Sequence, residues 1–323
     1  RPQVLQSPED ARASCEQAFC VCERLGQRAS CSSMGVSLIS VVVPVLNGLP
    51  WLEDQLEALS RQDFDQPWEL IIADNGSSDG SVGLVERWIS DRRTAPLCTP
   101  LLTDASATKG PAAARNAGVR TSKGDVLAFC DADDVVSPGW LNSLDAALTD
   151  DQGLDLVAGT FDFGALNGGS PSAPVPAAMG QFAFLPAGLA SNLAVRRSAF
   201  EAAGGFSEEM NVGEDIDFCW RVQLAGGRFG LATDAVVQRR EPSSLGDLFR
   251  QTWSYGRSGP ELFRRFRGSG AKRSIRSASK SWLWLLLNVP KIVRHDTRRA
   301  WVRAAGMRLG RISGCVTQKV FYP

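Results

Sequence analysis

The feature that most constrains this chain is an alternation of apolar runs with helical patterns, in which successive runs end in polar side chains. Leu38-Ile39-Ser40-Val41-Val42-Val43 is β-branched and bounded by Pro44, and residues 50–61 then carry helical spacing at Leu52, Leu56 and Leu59. Trp68-Glu69-Leu70-Ile71-Ile72-Ala73 reads as a second strand and 81–90 as a second helix. A short strand near 100–103 leads through a Gly/Ala-rich link to a helix over 111–120, and a strand over 125–129 runs into Asp131-Ala132-Asp133-Asp134. Repeated strands with intervening helices predict an α/β fold, a mostly parallel sheet flanked by helices on both faces. Sheets of that kind bind ligands at the carboxyl ends of their strands. The polar residues there are Asn47, Asp74-Asn75 and the aspartates after 130.

Asp131 and Asp133 are two apart, so in extended chain they point the same way. Two carboxylates aimed at one place repel unless a cation lies between them, and hard oxygen ligands suit Mg²⁺ or Mn²⁺. The competing account is a solvated acidic turn, with Asp134 and Ser137 as turn and cap residues. Asp74, followed by Asn75-Gly76-Ser77-Ser78-Asp79, stands where a carboxylate could accept from a base or ribose, yet the same letters are turn and N-cap chemistry. Lys109 and Arg115 lie between these elements, to face phosphates or to pair with acids.

Past residue 150 the alternation loosens. Residues 164–181 read as a loop, 191–195 as a strand, and a short helix is stopped by Gly204-Gly205. Gly213-Glu214-Asp215 opens a helix to about Ala225, where first-turn acids also suit the helix dipole, and strands over 228–231 and 235–238 complete the sheet. Residues 1–238 carry 16 Lys/Arg against 31 Asp/Glu, and residues 239–323 carry 19 against 4. A basic, largely helical tail of this kind meets something anionic or packs on the acidic body. Cys15, Cys20, Cys22 and Cys31 crowd the start without the paired spacing of zinc sites, and His295 is the only histidine. Reduced thiols in a cytosolic protein are the expectation. Residues 1–33 hold no apolar signal region, and no window suits a spanning helix. Met34 sits just before the first strand, so the working expectation is that the native protein begins there, with 1–35 a poorly ordered leader.

Set in order, these motifs resemble the family-2 glycosyltransferases of bacterial type, nucleotide-sugar-dependent enzymes of the GT-A fold. The resemblance covers roughly residues 37–240. It rests on Ser40–Asn47 as opening strand and turn, Asp74–Ser81, Lys109-Gly110 with Ala114-Arg115-Asn116-Ala117-Gly118, Asp131-Ala132-Asp133 as the DxD motif, and Gly213-Glu214-Asp215. It implies a GT-A-like domain over 36–240 and a basic helical region over 241–323. By resemblance, Pro44, Val45, Asn47, Asp74, Asn75, Lys109, Arg115 and Asp131 bind the donor. Asp133 ligates a divalent cation with Asp131 beside it, and Asp215, next to Glu214, takes the proton of an acceptor hydroxyl in an inverting transfer.

This sequence departs from the family where many relatives place a histidine ligand: it reads Val236-Val237-Gln238-Arg239-Arg240. The cation is therefore expected to be held weakly, or Arg239 or Arg240 to supply positive charge. The Gln-x-x-Arg-Trp motif of processive synthases is lacking, which favours single additions. Trp220, Arg239, Arg240 and Tyr255 are candidates for the acceptor. In the tail, Ser281-Trp282-Leu283-Trp284-Leu285-Leu286-Leu287 with flanking Lys280, Lys291 and Arg294 suits a helix in the headgroup region or one packed as core. No nucleic-acid module accompanies the charge. The expected partners are a nucleotide-sugar donor, a glycan or lipid-linked acceptor in envelope or polysaccharide synthesis, and an anionic membrane at the inner face of the plasma membrane. The competing expectation is a catalytically silent relative that only binds nucleotide-sugar.

Overall fold

The structure, a computed structural model, describes residues 38–150, 153–170, 172–179, 184–273, 275–294 and 297–323. The leader with Cys15, Cys20, Cys22, Cys31 and Met34, and also His295, lie outside the described residues. Strand β1 (Ile39–Val45) is β-branched and buried almost throughout, because both faces of the sheet are covered. It lies between β2 (Trp68–Asp74) and β4 (Val126–Cys130), parallel to both, and β3 (Cys98–Asp104) adds a further parallel strand beyond β2. Helices α1 (Leu52–Ser60), α2 (Ser81–Ser90) and α3 (Pro111–Thr121) supply the connections. This half matches the alternation in the sequence, and its strands all deliver their C-terminal ends to one edge.

Beyond β4 the sheet becomes mixed. A short β5 (Val135–Val136) and helix α4 (Trp140–Thr149) precede β6 (Leu156–Asp162). Three small strands follow, β7 (Val175–Pro176) beside β6, and β8 (Ala178–Met179) paired with β9 (Ala187–Gly188). Strand β10 (Asn192–Arg196) runs antiparallel between β4 and β6. After α5 (Arg197–Ala202) and α6 (Glu214–Leu224), β11 (Phe229–Gln238) pairs parallel with β6 and antiparallel with β5. The large sheet thus runs β3-β2-β1-β4-β10-β6-β11-β5. Strand β6 was not anticipated from sequence, and helix α4 only as the helix that the acidic-turn account would cap. The two strands expected over 228–231 and 235–238 are one strand whose register slips between Leu231 and Val236. Three central strands are tied by buried Asn192, which donates to Thr160 and Ala235 carbonyls at 2.8 and 2.9 Å and accepts the Trp140 indole N–H at 2.9 Å.

The basic tail is helical. Helix α7 (Leu245–Phe266), capped by Ser244 accepting the Asp247 N–H at 3.0 Å, leads to α8 (Ile275–Leu287) and α9 (Arg298–Thr317). α7 and α9 approach backbone to backbone: a Cβ on Gly256 would overlap the Met307 carbonyl oxygen, and one on Gly310 that of Trp253. Among the described residues, no helix is long and apolar enough to cross a membrane.

Candidate active site

At the strand ends, the loop after β1 is clipped to the loop after β2. Asn47, at the positive φ of 53° that asparagine tolerates, receives the Ser78 N–H at 2.8 Å and gives its own N–H to Ser77 Oγ at 2.9 Å. The Leu49 N–H donates to Asp79 at 2.9 Å, and the Ser81 hydroxyl holds the Asp79 carboxyl below its ordinary pKa. Asp74 accepts the Gly76 N–H at 3.0 Å and the Ser77 N–H at 3.2 Å, a local turn. Asn75 is a buried clamp that donates to Ala105 and Thr108 carbonyls and accepts the Gly110 N–H. Lys109 spends its ammonium on the Asn75 carbonyl at 2.8 Å.

Helix α3 projects Arg115 into the interior, where its guanidinium bridges two acids. One nitrogen lies 2.7 Å from Asp131 Oδ1 and another 2.9 Å from Glu214 Oε1. Burial opposes its charge, but Asp131 and Glu214 outweigh that and hold the guanidinium above its ordinary pKa. The Asp131, Asp133 and Asp134 carboxylates offer oxygens that all lie within 4.8 Å of one another. The cleft walls desolvate Asp133 and Asp131 repels it, so its carboxyl is pushed up; Asp134, only 2 % exposed, is raised further by the same causes. Asp134 also accepts the Arg240 backbone N–H at 2.9 Å. An all-oxygen cluster whose members repel suits a divalent cation, and Asp133 forms no ion pair among the described residues.

Facing this cluster is the first turn of α6. Gly213 enters it at a φ of 84°, against Ser258 and Leu262 of α7, where any side chain would be strained. Glu214 points inward to Arg115 and is 6 % exposed; burial, then Asp215 beside it, raises its carboxyl to about 7 against the pull of Arg115. Asp215 is half-buried, accepts the Ala190 N–H at 3.3 Å and the Ile216 N–H at 2.8 Å, and is raised by burial.

A cleft of about 910 Å³ unites these groups, lined by Pro44, Val45 and Asn47 together with Asp131, Asp133, Arg115, Glu214 and Asp215. Asn75, Arg239, Arg240 and Tyr255 also line it. The Arg239 guanidinium stacks over Phe161 at 4.8 Å, while Arg240 stacks over Trp51 at 4.1 Å and pairs with Asp54. Asp74 and Lys109 do not line this cleft: Asp74 accepts N–H groups of its own turn, and Lys109 donates to the Asn75 carbonyl. Trp220 is core: its indole donates to Leu185 O at 2.8 Å and its ring meets Phe184 and Phe266 edge-on, so it cannot touch an acceptor. Gln238 ends β11 and does not line the cleft either.

The sequence reading left Asp134 out of the metal pair, giving it a turn role only in the competing account, and missed the helical wall of the cleft, Gln251 and Ser258 of α7 with Arg303, Met307 and Arg311 of α9. The spacing of those last three, four residues apart, was a usable signal for one helix face. Chemically, the cleft offers acids for a cation, guanidinium groups for an anion, and a further carboxylate, Asp215, for a proton.

Two family models match, one described as Glycosyl transferase family 2 over residues 40–173 and one as Glycosyl transferase family group 2 over residues 126–306. The chain is 29% identical over 293 residues to the Pre-mycofactocin glycosyltransferase of Mycobacterium tuberculosis, covering 86% of this chain and 55% of that protein. It therefore spans about half the length of that relative. To Glycosyltransferase AglE of Haloferax volcanii it is 26% identical over 271 residues, 81% of this chain and 85% of the relative. Among solved structures, the mannosyltransferase PcManGT from Pyrobaculum calidifontis, in complex with GDP-Man and Mn²⁺, superposes with a TM-score of 0.59 at 17% identity, covering 85% of this chain and 86% of that one. S. aureus TarS 1-349 in complex with UDP gives 0.51 at 18% identity, covering 88% and 93%. These two likenesses show the GT-A fold. The chain belongs to the family-2 glycosyltransferases.

Proposed function

We propose that this family-2 glycosyltransferase moves one sugar from a nucleotide-diphosphate sugar to a hydroxyl of a glycan or lipid-linked acceptor, with inversion, in cell-envelope or polysaccharide synthesis. The observation that carries the reading is the Arg115 bridge, which joins the aspartate cluster to the Glu214-Asp215 turn within one cleft. In this reading residues 36–240 bear the transfer and residues 241–323 form the acceptor side, held peripherally at the inner face of the plasma membrane.

Pro44, Val45 and Asn47 would receive the nucleoside, with Asp74 and Asn75 shaping their loops. Asp133 and Asp131 would hold a divalent cation, Mn²⁺ or Mg²⁺, whose chemistry when bound is to offset the charge growing on the departing diphosphate. Arg115 keeps Asp131 oriented, and the Arg239 guanidinium supplies a fixed positive charge in the same cleft. Asp215 takes the proton from the acceptor hydroxyl as that oxygen attacks the anomeric carbon. The bond from that carbon to the diphosphate oxygen breaks on the opposite face, which inverts the configuration. Glu214, buried against Arg115, positions Asp215 at the turn. Arg240 and Tyr255 would contact the acceptor.

Donor hydrolysis measured across UDP-, GDP- and dTDP-sugars with Mn²⁺ tests this. Turnover of one donor class that is lost on Asp133→Asn is the expected result. Donor binding without turnover of any donor would leave only a nucleotide-sugar-binding partner.

A further inference from the structure

The outer side of the C-terminal helices joins a large apolar surface to an almost purely cationic rim. Residues 262–323 contain 15 Lys/Arg and a single acid, Asp296. On α8, Ile275, Leu283, Leu286 and Leu287 are exposed, Leu286 to 69%. Positions 275, 279, 282, 283, 286 and 287 fall on one arc of that helix at 3.6 residues per turn, while Ala278 and Leu285 face inward. The strip continues through the turn Val289–Ile292 to Val293, which is 88% exposed. It resumes on α9, where Leu309, Ile312 and Val316 share one face, Val316 at 73% exposure.

These faces belong together because α8 and α9 are laid side by side in opposite directions. The Trp301 indole donates to Leu285 O at 3.1 Å, Arg308 to Ser281 Oγ at 2.8 Å, and Arg273 to Phe321 O at 3.2 Å. Leu309, Ile312 and Val316 flank that seam. Exposed Lys272, Arg273, Arg276 and Lys280 stand at the edge of the strip, and Lys291 stacks on Trp284 at 5.3 Å. On the same helix, Arg303, Met307 and Arg311 point into the cleft, on roughly the opposite side from the apolar face.

We propose that this strip docks on an anionic bilayer surface, lying in the headgroup region with α8 and α9 parallel to the membrane plane. Soluble surfaces seldom leave so many large apolar side chains uncovered in one patch. The lack of acids at the rim selects a negatively charged partner, and helices that combine apolar faces with Lys/Arg and Trp lie at the interface rather than span it. Docked this way, α9 separates the lipid surface from the cleft by a single helix. A lipid-borne hydroxyl would reach Asp215 around that helix without leaving the membrane. The docking does not depend on the transfer reading.

Vesicle flotation tests it, using phosphatidylcholine alone and phosphatidylcholine with phosphatidylglycerol in equal parts. The native protein should float with the anionic vesicles and lose binding as salt is raised, whatever the variants do. Changing Lys272, Arg276 and Lys280 together to Gln should weaken binding by about a hundredfold, taking roughly fivefold per interfacial cation. Changing Leu283, Leu286, Val293 and Val316 together to Ser should weaken it by about tenfold or more. Thermal unfolding of each variant reports its fold, and donor hydrolysis in detergent-free solution should be unchanged. Equal binding to both vesicle types, or salt-independent binding, would overturn the proposal. So would vesicle-free self-association in sedimentation velocity that the Ser changes abolish, since a second copy of the chain would then be the occupant. Loss of hydrolysis by the unaltered protein would count against sugar transfer and leave the docking result standing.

Discussion

On the sheet side of the cleft, Asp131 and Asp133 stand where β4 leaves the core, and their positions follow from strand register and from the Arg115 bridge. On the helical side, Arg303, Met307 and Arg311 stand on α9, whose position follows from its close glycine contacts with α7. The first wall is set by charge, so altering one group changes the ionisation of its neighbours. The second is set by shape, so altering one group changes how far apart two helices lie. Chemistry should therefore be lost from the first wall, and acceptor fit from the second.

The contrast breaks most visibly at the proposed base. Asp215→Asn is expected to lower turnover by about 10²–10⁴-fold while calorimetric donor binding stays near its native value. An equal fall in donor affinity would show that Asp215 serves the donor. Next comes the bridge: Arg115→Ala leaves two buried or half-buried acids without their partner and should cost about 3–5 kcal/mol in chemical denaturation. Arg115→Lys, which keeps the charge but cannot span both acids, should recover only part of it. If Ala and Lys behave alike, bridging is not what matters.

Glu214 sharpens the comparison by its response to pH. Its folded pKa of about 7 lies above the ordinary value of 4.5, so the folded state holds the proton more tightly than the unfolded chain. The stability from this group is fully present below about pH 4.5 and is lost as pH rises through about 7. Relative to Glu214→Gln, the native protein should lose up to about 2–3 kcal/mol between pH 5 and 8. A flat difference would mean that Arg115 keeps Glu214 ionised throughout. The smallest effect belongs to the helical wall: Gly310→Ala should cost about 1–3 kcal/mol and raise the acceptor KM, with donor hydrolysis unmoved. A fall in donor hydrolysis instead would join the two walls into one device.

The sheet wall was legible in the sequence because it is made of local patterns. Val41-Val42-Val43 before Pro44, and Leu127-Ala128-Phe129 before Asp131, announce buried strands and what stands at their ends. Strand β6 was not legible: Leu156-Val157-Ala158-Gly159-Thr160-Phe161 sits in a region without clean alternation, and only its neighbours β10 and β11 make it central. The helical wall hid for a related reason. Gly256 and Gly310 read singly as weak helix positions, and their worth appears only when the two helices meet. Trp220 misled in the other direction, since an aromatic next to an acidic motif looks accessible until Phe184 and Phe266 enclose it.

The contact of Gly213 with Ser258 and Leu262 bears on how such a protein can be recombined. The turn that presents Glu214 and Asp215 leans on α7, which comes later in the chain. A chimera that kept residues up to 240 and took its helices from a relative would import a different prop beneath its own proposed base. Acceptor preference and catalytic competence would then be inherited together, and a graft meant to change only the former should carry α6 and α7 as one piece.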